Sequence, residues 1–298
     1  MEVNGANLAA LRTSYNTIFN SHFEAVESTH KRISMTVPST TASNNYKWLK
    51  KLKGMRKWVG PRVIDSLASA GYVLENEPFE NTVAVDRYDI EDDQYGTYNP
   101  AIGDLGQTVA EHPDELCWGV LKKGFEELCF DGQPFIDTDH PALDANGKEI
   151  SVSNYTAGAE PAWFLMDTTR AIKPIIYQER QKARFVAKDS PTDDHVFNNN
   201  EFLYGVDYRA AAGYGLWQLI HGATVSLNED NYAAVRQAMM ELKADHGRPL
   251  NIRPRLLVVP PALEKAALKL VQAENNANGE TNVYRNSVEV HVEPMLAA

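Results

Sequence analysis

One stretch constrains this fold more than any other: residues 106–141, GQTVAEHPDELCWGVLKKGFEELCFDGQPFIDTDHP. Leu105, Val109 and Leu116, then Trp118, Leu121, Phe125 and Leu128, recur at three- and four-residue steps, the spacing that lines one face of a helix. Glu115, Lys122, Lys123, Glu126 and Glu127 fill the opposite side, and Gly132 and Pro134 supply the stop. The loop beyond carries Asp137, Asp139 and His140. Whether those three residues are chemistry or a bend decides between an enzyme and a building block.

The chain has 298 residues, enough for one large domain or two ordinary ones with a substantial core. A formal net charge of −11 argues against a protein that grips nucleic acid through its phosphates, though not against one that encloses DNA without adhering to it. The two cysteines, Cys117 and Cys129, fall on the same expected helix. At about 1.5 Å per residue they lie roughly 18 Å apart, too far to bridge, and read as buried free thiols of a reducing compartment. No basic start with an apolar stretch after it, and no run of about 18 apolar residues, marks a secretion signal or a membrane span. A cytoplasmic protein is expected.

Leu8, Leu11, Tyr15 and Ile18 predict a short amphipathic helix, followed by a strand over residues 32–37 and a polar run over 39–45. This N-terminal piece shows too little apolar surface to fold alone and is expected to lie on something else as an arm. Residues 47–57 carry Lys47, Lys50, Lys51, Lys53, Arg56 and Lys57, interleaved with Tyr46, Trp48, Leu49, Leu52 and Met55. Nucleic-acid stacking is one reading; a half-buried segment with a solvated basic face is the plainer one, and an acidic neighbour on another subunit is a third. Residues 58–93 read as a two-stranded excursion, with strands at 71–74 and 82–85 and a turn at 75–78. Such a hairpin is poorly stable by itself and needs a partner.

Beyond the central helix, residues 149–156, 163–165, 175–177 and 184–186 read as separate strands, and 202–209 runs into a glycine pair, Gly213 and Gly215, that marks close packing. Asn228 caps a further helix that Gly247 closes, Leu256 to Val259 is a strand buried on both faces, and Pro260-Pro261 opens a helix before a last strand at Val288, Val290 and Val292. The fold class is α+β.

Chemistry has little to stand on. Asp137, Asp139 and His140 sit on a proline-ended loop, where aspartates commonly bond to nearby amides; the competing reading is a metal-dependent enzyme using these three residues. Glu111-His112 and Asp193-Asp194-His195 are weaker clusters of the same kind. HExxH, CxxC, P-loop, GxSxG and GxGxxG patterns do not occur. No enzyme, no cofactor and no metal are expected.

Eight stretches in order carry a resemblance: Trp58-Val59-Gly60 with Arg62; Tyr72, Phe79-Glu80 and residues 86–93; PDELCWGVLKKGF from Pro113; CFDGQPFIDTDHP from Cys129; IKPIIYQER from Ile172; DDHVFNNNEFLYG from Asp193; RAAAGYGLWQ from Arg209; and LLVVPPALEKAA from Leu256. Together they cover most of the chain, and in them it resembles the Mu-like major head subunit family. That resemblance implies a Hong Kong 97-type capsid fold: an N-terminal arm (residues 1–45), a basic segment with an extended-loop hairpin (46–96), a peripheral domain with a spine helix (97–155 and 176–222) and an axial domain (156–175 and 223–298). It implies a head protein, with hexamers and pentamers of one chain forming an icosahedral shell around double-stranded DNA, a scaffold and a portal as assembly partners, and no membrane. The virion is the expected location and the host cytoplasm the place of assembly. An encapsulin-like compartment is the structural alternative. Lys47, Lys50, Lys51, Lys53, Arg56, Lys57, Trp58, Arg62, Tyr72, Phe79 and Glu80 are the candidate interface residues. The module over 228–294 comes last here where many relatives place it earlier, so residues 292–296 are expected near 161–165.

Overall fold

The computed structural model describes residues 2–50, 71–92, 94–276 and 279–297. Helix α1 (Gly5–Ala25) is capped by Asn4, whose side-chain oxygen accepts the Asn7 N–H at 2.9 Å. Strands β1 (Ser34–Pro38), β2 (Ser43–Tyr46), β3 (Tyr72–Glu75) and β4 (Glu77–Asp86) follow, then the short α2 (Arg87–Glu91) and the long α3 (Asn99–Lys122). Next come β5 (His140–Leu143), β6 (Glu149–Val152), β7 (Tyr155–Thr156), β8 (Trp163–Met166), β9 (Ile175–Lys188), α4 (Asp194–Asn199) and β10 (Glu201–Tyr214). The last part holds β11 (Ile220–Ala223), α5 (Glu229–Glu241), β12 (Lys243–Ala244), β13 (Arg248–Pro249), β14 (Leu256–Val259), α6 (Glu264–Val271) and β15 (Glu289–Val292).

Two sheets carry the architecture. The first has the order β1-β9-β10-β4, with β9 and β10 antiparallel over most of their lengths and β1 parallel to β9. The second has the order β15-β14-β8-β11-β7. Its centre is apolar on both faces: all four residues of β8, of β11 and of β14 are buried. The β14–α6–β15 connection returns the chain parallel to β14, with Val259 opposite Val292. Val258 pairs on its other side with Phe164, so the C-terminal segment and residues 161–165 share one sheet with β14 between them.

Helix α3 spans both apolar clusters of the core. Ile102, Leu105 and Val109 pack with α1 and with Val85, Phe202, Tyr204 and Val206 of β4 and β10, while Cys117, Trp118 and Leu121 enter the larger cluster built on β8, β9 and β14. Two glycines let α1 approach. A Cβ at Gly106 would stand 2.5 Å from the Phe19 carbonyl oxygen, and one at Gly103 would stand 2.9 Å from the His22 ring.

Several sequence expectations are corrected here. Helix α1 is 21 residues long rather than short and buries Leu8, Leu11, Tyr15 and Phe19 within its own chain; Phe19 and Phe23, beyond the four residues of the sequence pattern, stack at 5.7 Å and complete the apolar face. Residues 71–74 and 82–85 do not form a hairpin. Only Asn76 separates β3 from β4, and the two strands pair with different partners, β2 and β10. Helix α3 ends at Lys122, and a single 3₁₀ turn over Lys123–Phe125 follows, which leaves Cys129 off the helix and Leu128 exposed. Residues 175–177 and 184–186 belong to one 14-residue strand, whose outer half alternates half-buried and exposed and so imitates a break. Helix α5 stops at Glu241, and Gly247, at φ +77°, serves the turn between β12 and β13 instead. Strand β11 pairs with β8 on one side and β7 on the other, within the five-stranded sheet.

The glycine contacts generate a test. Gly106→Ala forces α1 away from α3 and is expected to destabilise the subunit by about 1–3 kcal/mol, with faster amide exchange across residues 5–25. Gly119→Ala, in the same helix with nothing within 4 Å of a new Cβ, is expected to be neutral or mildly stabilising. Equal thermal melting shifts in the two variants would contradict the close packing.

Candidate functional site

Residues singled out by sequence gather at two places. The first is the β2–β3 pair, whose strands flank the stretch between Tyr46 and Tyr72. Tyr46 and Tyr72 are register partners in that pair, so the two ends of the stretch lie side by side. A buried amide network fixes this base. Tyr46 Oη donates to Gln178 Oε1 at 2.7 Å, Gln178 Nε2 donates to Asn76 Oδ1 at 2.8 Å, and Asn76 Nδ2 donates to Ser39 Oγ at 2.9 Å and to the Thr41 carbonyl at 2.9 Å. Tyr72 Oη accepts the Tyr214 N–H at 3.1 Å, and burial pushes its phenol up to about 12. Phe79 turns inward too, edge-on to His112 with centroids 4.5 Å apart and 5.3 Å from Tyr208. Of the candidate interface residues, Lys47 and Glu80 are exposed, and Lys50 lies in the 3₁₀ turn over Lys47–Lys50. Lys51, Lys53, Arg56, Lys57, Trp58 and Arg62 lie outside the described residues.

The second place is the exit of α3. Here the loop residues do not converge as a triad. Asp139 is exposed, and Asp137 accepts the Thr138 N–H at 2.6 Å, an ordinary turn contact. His140 alone goes inward. It is fully buried and stacks on Trp217 with ring centroids 4.0 Å apart and planes 9° off parallel. Its Nδ1 lies 2.8 Å from Asp131 Oδ2, and its Nε2 lies 3.1 Å from Asn154 Oδ1. Asp131 Oδ1 accepts the Cys129 thiol at 3.0 Å and the Gln133 N–H at 3.1 Å. Burial by itself would raise the Asp131 pKa, but the hydrogen bonds from His140, Cys129 and Gln133 bring it below the ordinary carboxylate range. Burial pushes the Cys129 thiol up. Asn154 holds the loop from behind, donating to the Phe135 and Trp217 carbonyls at 3.0 and 3.3 Å and accepting the Asp137 N–H at 2.8 Å.

Sequence reasoning found His140 but missed Asp131, Asn154 and Trp217. Asp131 lies in the same CFDGQP stretch and was legible as an Asx-turn residue ahead of Gly132, at φ +94°. Asn154 and Trp217 had no local signal, since their roles arise from contacts 14 and 77 positions away from His140.

A third network ties the N-terminal segment, α3 and the C-terminal tail. Asp114 accepts from His30 N at 2.7 Å, Thr29 N at 3.1 Å and Ser28 Oγ at 3.2 Å. Trp118 donates through Nε1 to Thr29 Oγ1 at 2.9 Å and stacks on His291 at 5.2 Å. Glu293, buried, faces His291 Nε2 at 3.1 Å and caps the Met295 N–H at 3.0 Å.

The Mu-like prophage major head subunit gpT family model matches residues 8–296. The major capsid protein of Escherichia phage Mu is 40% identical over 289 residues, which cover 95% of this chain and 95% of that protein. Among solved structures, a subunit of the bacteriophage JBD30 procapsid superposes with a TM-score of 0.88 at 42% identity, covering 98% of this chain and 100% of that one. A subunit of the JBD30 capsid superposes with a TM-score of 0.80 at 32% identity, covering 100% of both.

Two buried histidines set a pH dependence. Burial lowers His221, bonded to Thr156 Oγ1 at 2.8 Å, to about 4, and also lowers His30 to about 4 against the opposing pull of Asp114. Both are neutral in the folded chain, whereas the unfolded chain takes up protons near pH 6.5. Their contribution is therefore complete above that pH and is lost as pH falls from about 6.5 to about 4, on the order of 3 kcal/mol each. Urea unfolding of the unassembled subunit across that window is expected to show this slope, and His221→Gln is expected to flatten it. An unchanged slope in the variant would place the titration elsewhere.

Proposed function

The chain belongs to the Mu-like major head subunit family, and from that premise we infer that it is the major capsid protein of a Mu-like phage, a structural subunit that assembles with its own copies into an icosahedral head. Agreement with known head subunits along the full length, in sequence and in fold together, carries this reading. It favours the phage head over an encapsulin-like compartment.

The subunit's geometry supports a finer reading. The four-stranded sheet with α1 and α3 is the peripheral part, and the five-stranded sheet with α5 and α6 is the axial part. The excursion between Tyr46 and Tyr72 carries the inter-subunit contacts. Its basic residues Lys47, Lys50, Lys51, Lys53, Arg56 and Lys57, with Trp58 and Arg62, meet acidic surface on a neighbouring copy of this chain, whose net charge is −11. Tyr72 and Phe79 act one step back, by fixing the base of the excursion to its own subunit. The shell forms from hexamers and pentamers through a procapsid, with scaffold and portal as partners in the host cytoplasm. It then encloses double-stranded DNA, and the excess of acidic residues keeps the cargo from adhering.

Negative-stain microscopy of particles from a phage carrying Lys51→Glu, Lys53→Glu and Lys57→Glu together tests the assignment. The parent is expected to give uniform DNA-filled heads, and the triple variant soluble subunits of unchanged circular dichroism that sediment as small species. Normal heads from the triple variant would refute the role of the basic segment. Parent particles holding protein and no DNA would refute the head reading itself.

A further inference from the structure

We propose that Cys129, Asp131 and His140 form a binding site for one thiophilic divalent cation of the zinc class, which would pin the exit of α3 to the core. Ligand atoms of the three residues all lie within 4.8 Å of one another, and all three residues are buried or half-buried. Bonds of about 2.3 Å to sulfur and about 2.0 Å to nitrogen or oxygen place tetrahedral ligands roughly 3.5 Å apart, so small side-chain rotations close the site. A mixed sulfur, nitrogen and oxygen donor set suits zinc rather than magnesium or calcium.

The orientation of the histidine is the stronger argument. The Asn154 side-chain nitrogen donates to two carbonyl oxygens, Phe135 O and Trp217 O, which fixes its oxygen toward Asp137 N–H and toward His140 Nε2. Nε2 must therefore carry a hydrogen, and Nδ1 is the nitrogen that faces Asp131. A metal-ligating histidine is held in this way, one ring nitrogen donating to a fixed oxygen and the other turned to the ion. Stacking on Trp217 removes the remaining rotational freedom of the ring.

Charge balance agrees. Asp131 Oδ1 accepts the Cys129 thiol, and Oδ2 faces His140 Nδ1. A divalent cation held among the three, with the thiol proton released to solvent, would sit between a thiolate, a carboxylate and a neutral imidazole, whose charges sum to zero with its own. The filled site leaves no uncompensated charge in a buried place, where one would be costly.

Room for a fourth ligand lies alongside. Asp131 and Trp217 line a cavity of about 270 Å³ together with Gln218, Lys243 and Asp245. Gln218, which lines this cavity, has a buried Oε1 with no hydrogen-bond partner among the described residues. A water completing the cation's shell from the cavity side supplies a donor of the kind that this oxygen lacks.

The test uses the full-length subunit, stripped with a chelator and titrated with Co²⁺ as an optical stand-in for zinc. Saturation at one equivalent is expected, with a thiolate-to-cobalt absorption band, proton release in weak buffer, and a rise in melting temperature. Cys129→Ser, checked for folding by circular dichroism, is expected to lose the band and to bind at least about tenfold more weakly. Cys117→Ser, altering the other buried thiol, is expected to keep both. The proposal is overturned if folded parent protein shows no saturable binding, or if the band survives in Cys129→Ser or vanishes in Cys117→Ser.

Discussion

Burial of α3 along its whole length is the constraint on which the subunit depends. The first half of the helix meets α1 and the outer ends of β4 and β10; the second half meets the main core. Between the halves stands Pro113, which has no N–H to return to the helix. The next residue, Asp114, turns its carboxylate to the backbone of residues 29 and 30 instead of to solvent. One rigid element thereby sets the direction of both sheets. The small residues Gly103 and Gly106 permit the contact with α1, and the large ones Trp118 and Leu121 fill the other cluster.

Polar side chains hold the joints that apolar packing leaves open. Asp114, Asn76, Gln178, Asn154 and Glu293 are all buried, and each bonds to backbone or side-chain groups of segments far away in sequence, Glu293 through the Thr29 hydroxyl. Asn76, Asn154 and Glu293 stand just beyond strand ends, where backbone groups lose their ladder partners, while Asp114 reaches out from within α3 and Gln178 from within β9. Amides and carboxylates at such points act as substitutes for backbone and specify which segment meets which.

Much of this was legible in the residues and some was not. The spine helix, the buried strand Leu256–Val259, the Asn228 cap and the Pro260-Pro261 helix start all express local periodicity or capping chemistry, which survives in any tertiary setting. Pairing was not legible. The sequence of β3 and β4 fits a hairpin, yet β3 goes to β2 and β4 to β10, because the choice between partners is made by long-range contacts such as the Gln178–Asn76 bond. The same holds at the α3 exit. Asp137, Asp139 and His140 are close in sequence and part company in space, while Asp131 and Asn154 arrive from either side to take the histidine that the other two do not touch.

The adjacency of Tyr46 and Tyr72 reaches beyond the single subunit. A segment whose two ends are already clamped together can be lengthened, shortened or exchanged at small cost to the body that holds it, since each doubling of such a loop adds only about 0.6 kcal/mol of closure entropy. Variation between related shells can therefore concentrate in residues 47–71 while the sheets and α3 stay as they are. What fixes the shape of the subunit lies in its sheets and α3, and the stretch between Tyr46 and Tyr72 joins that body at a seam two paired tyrosines wide.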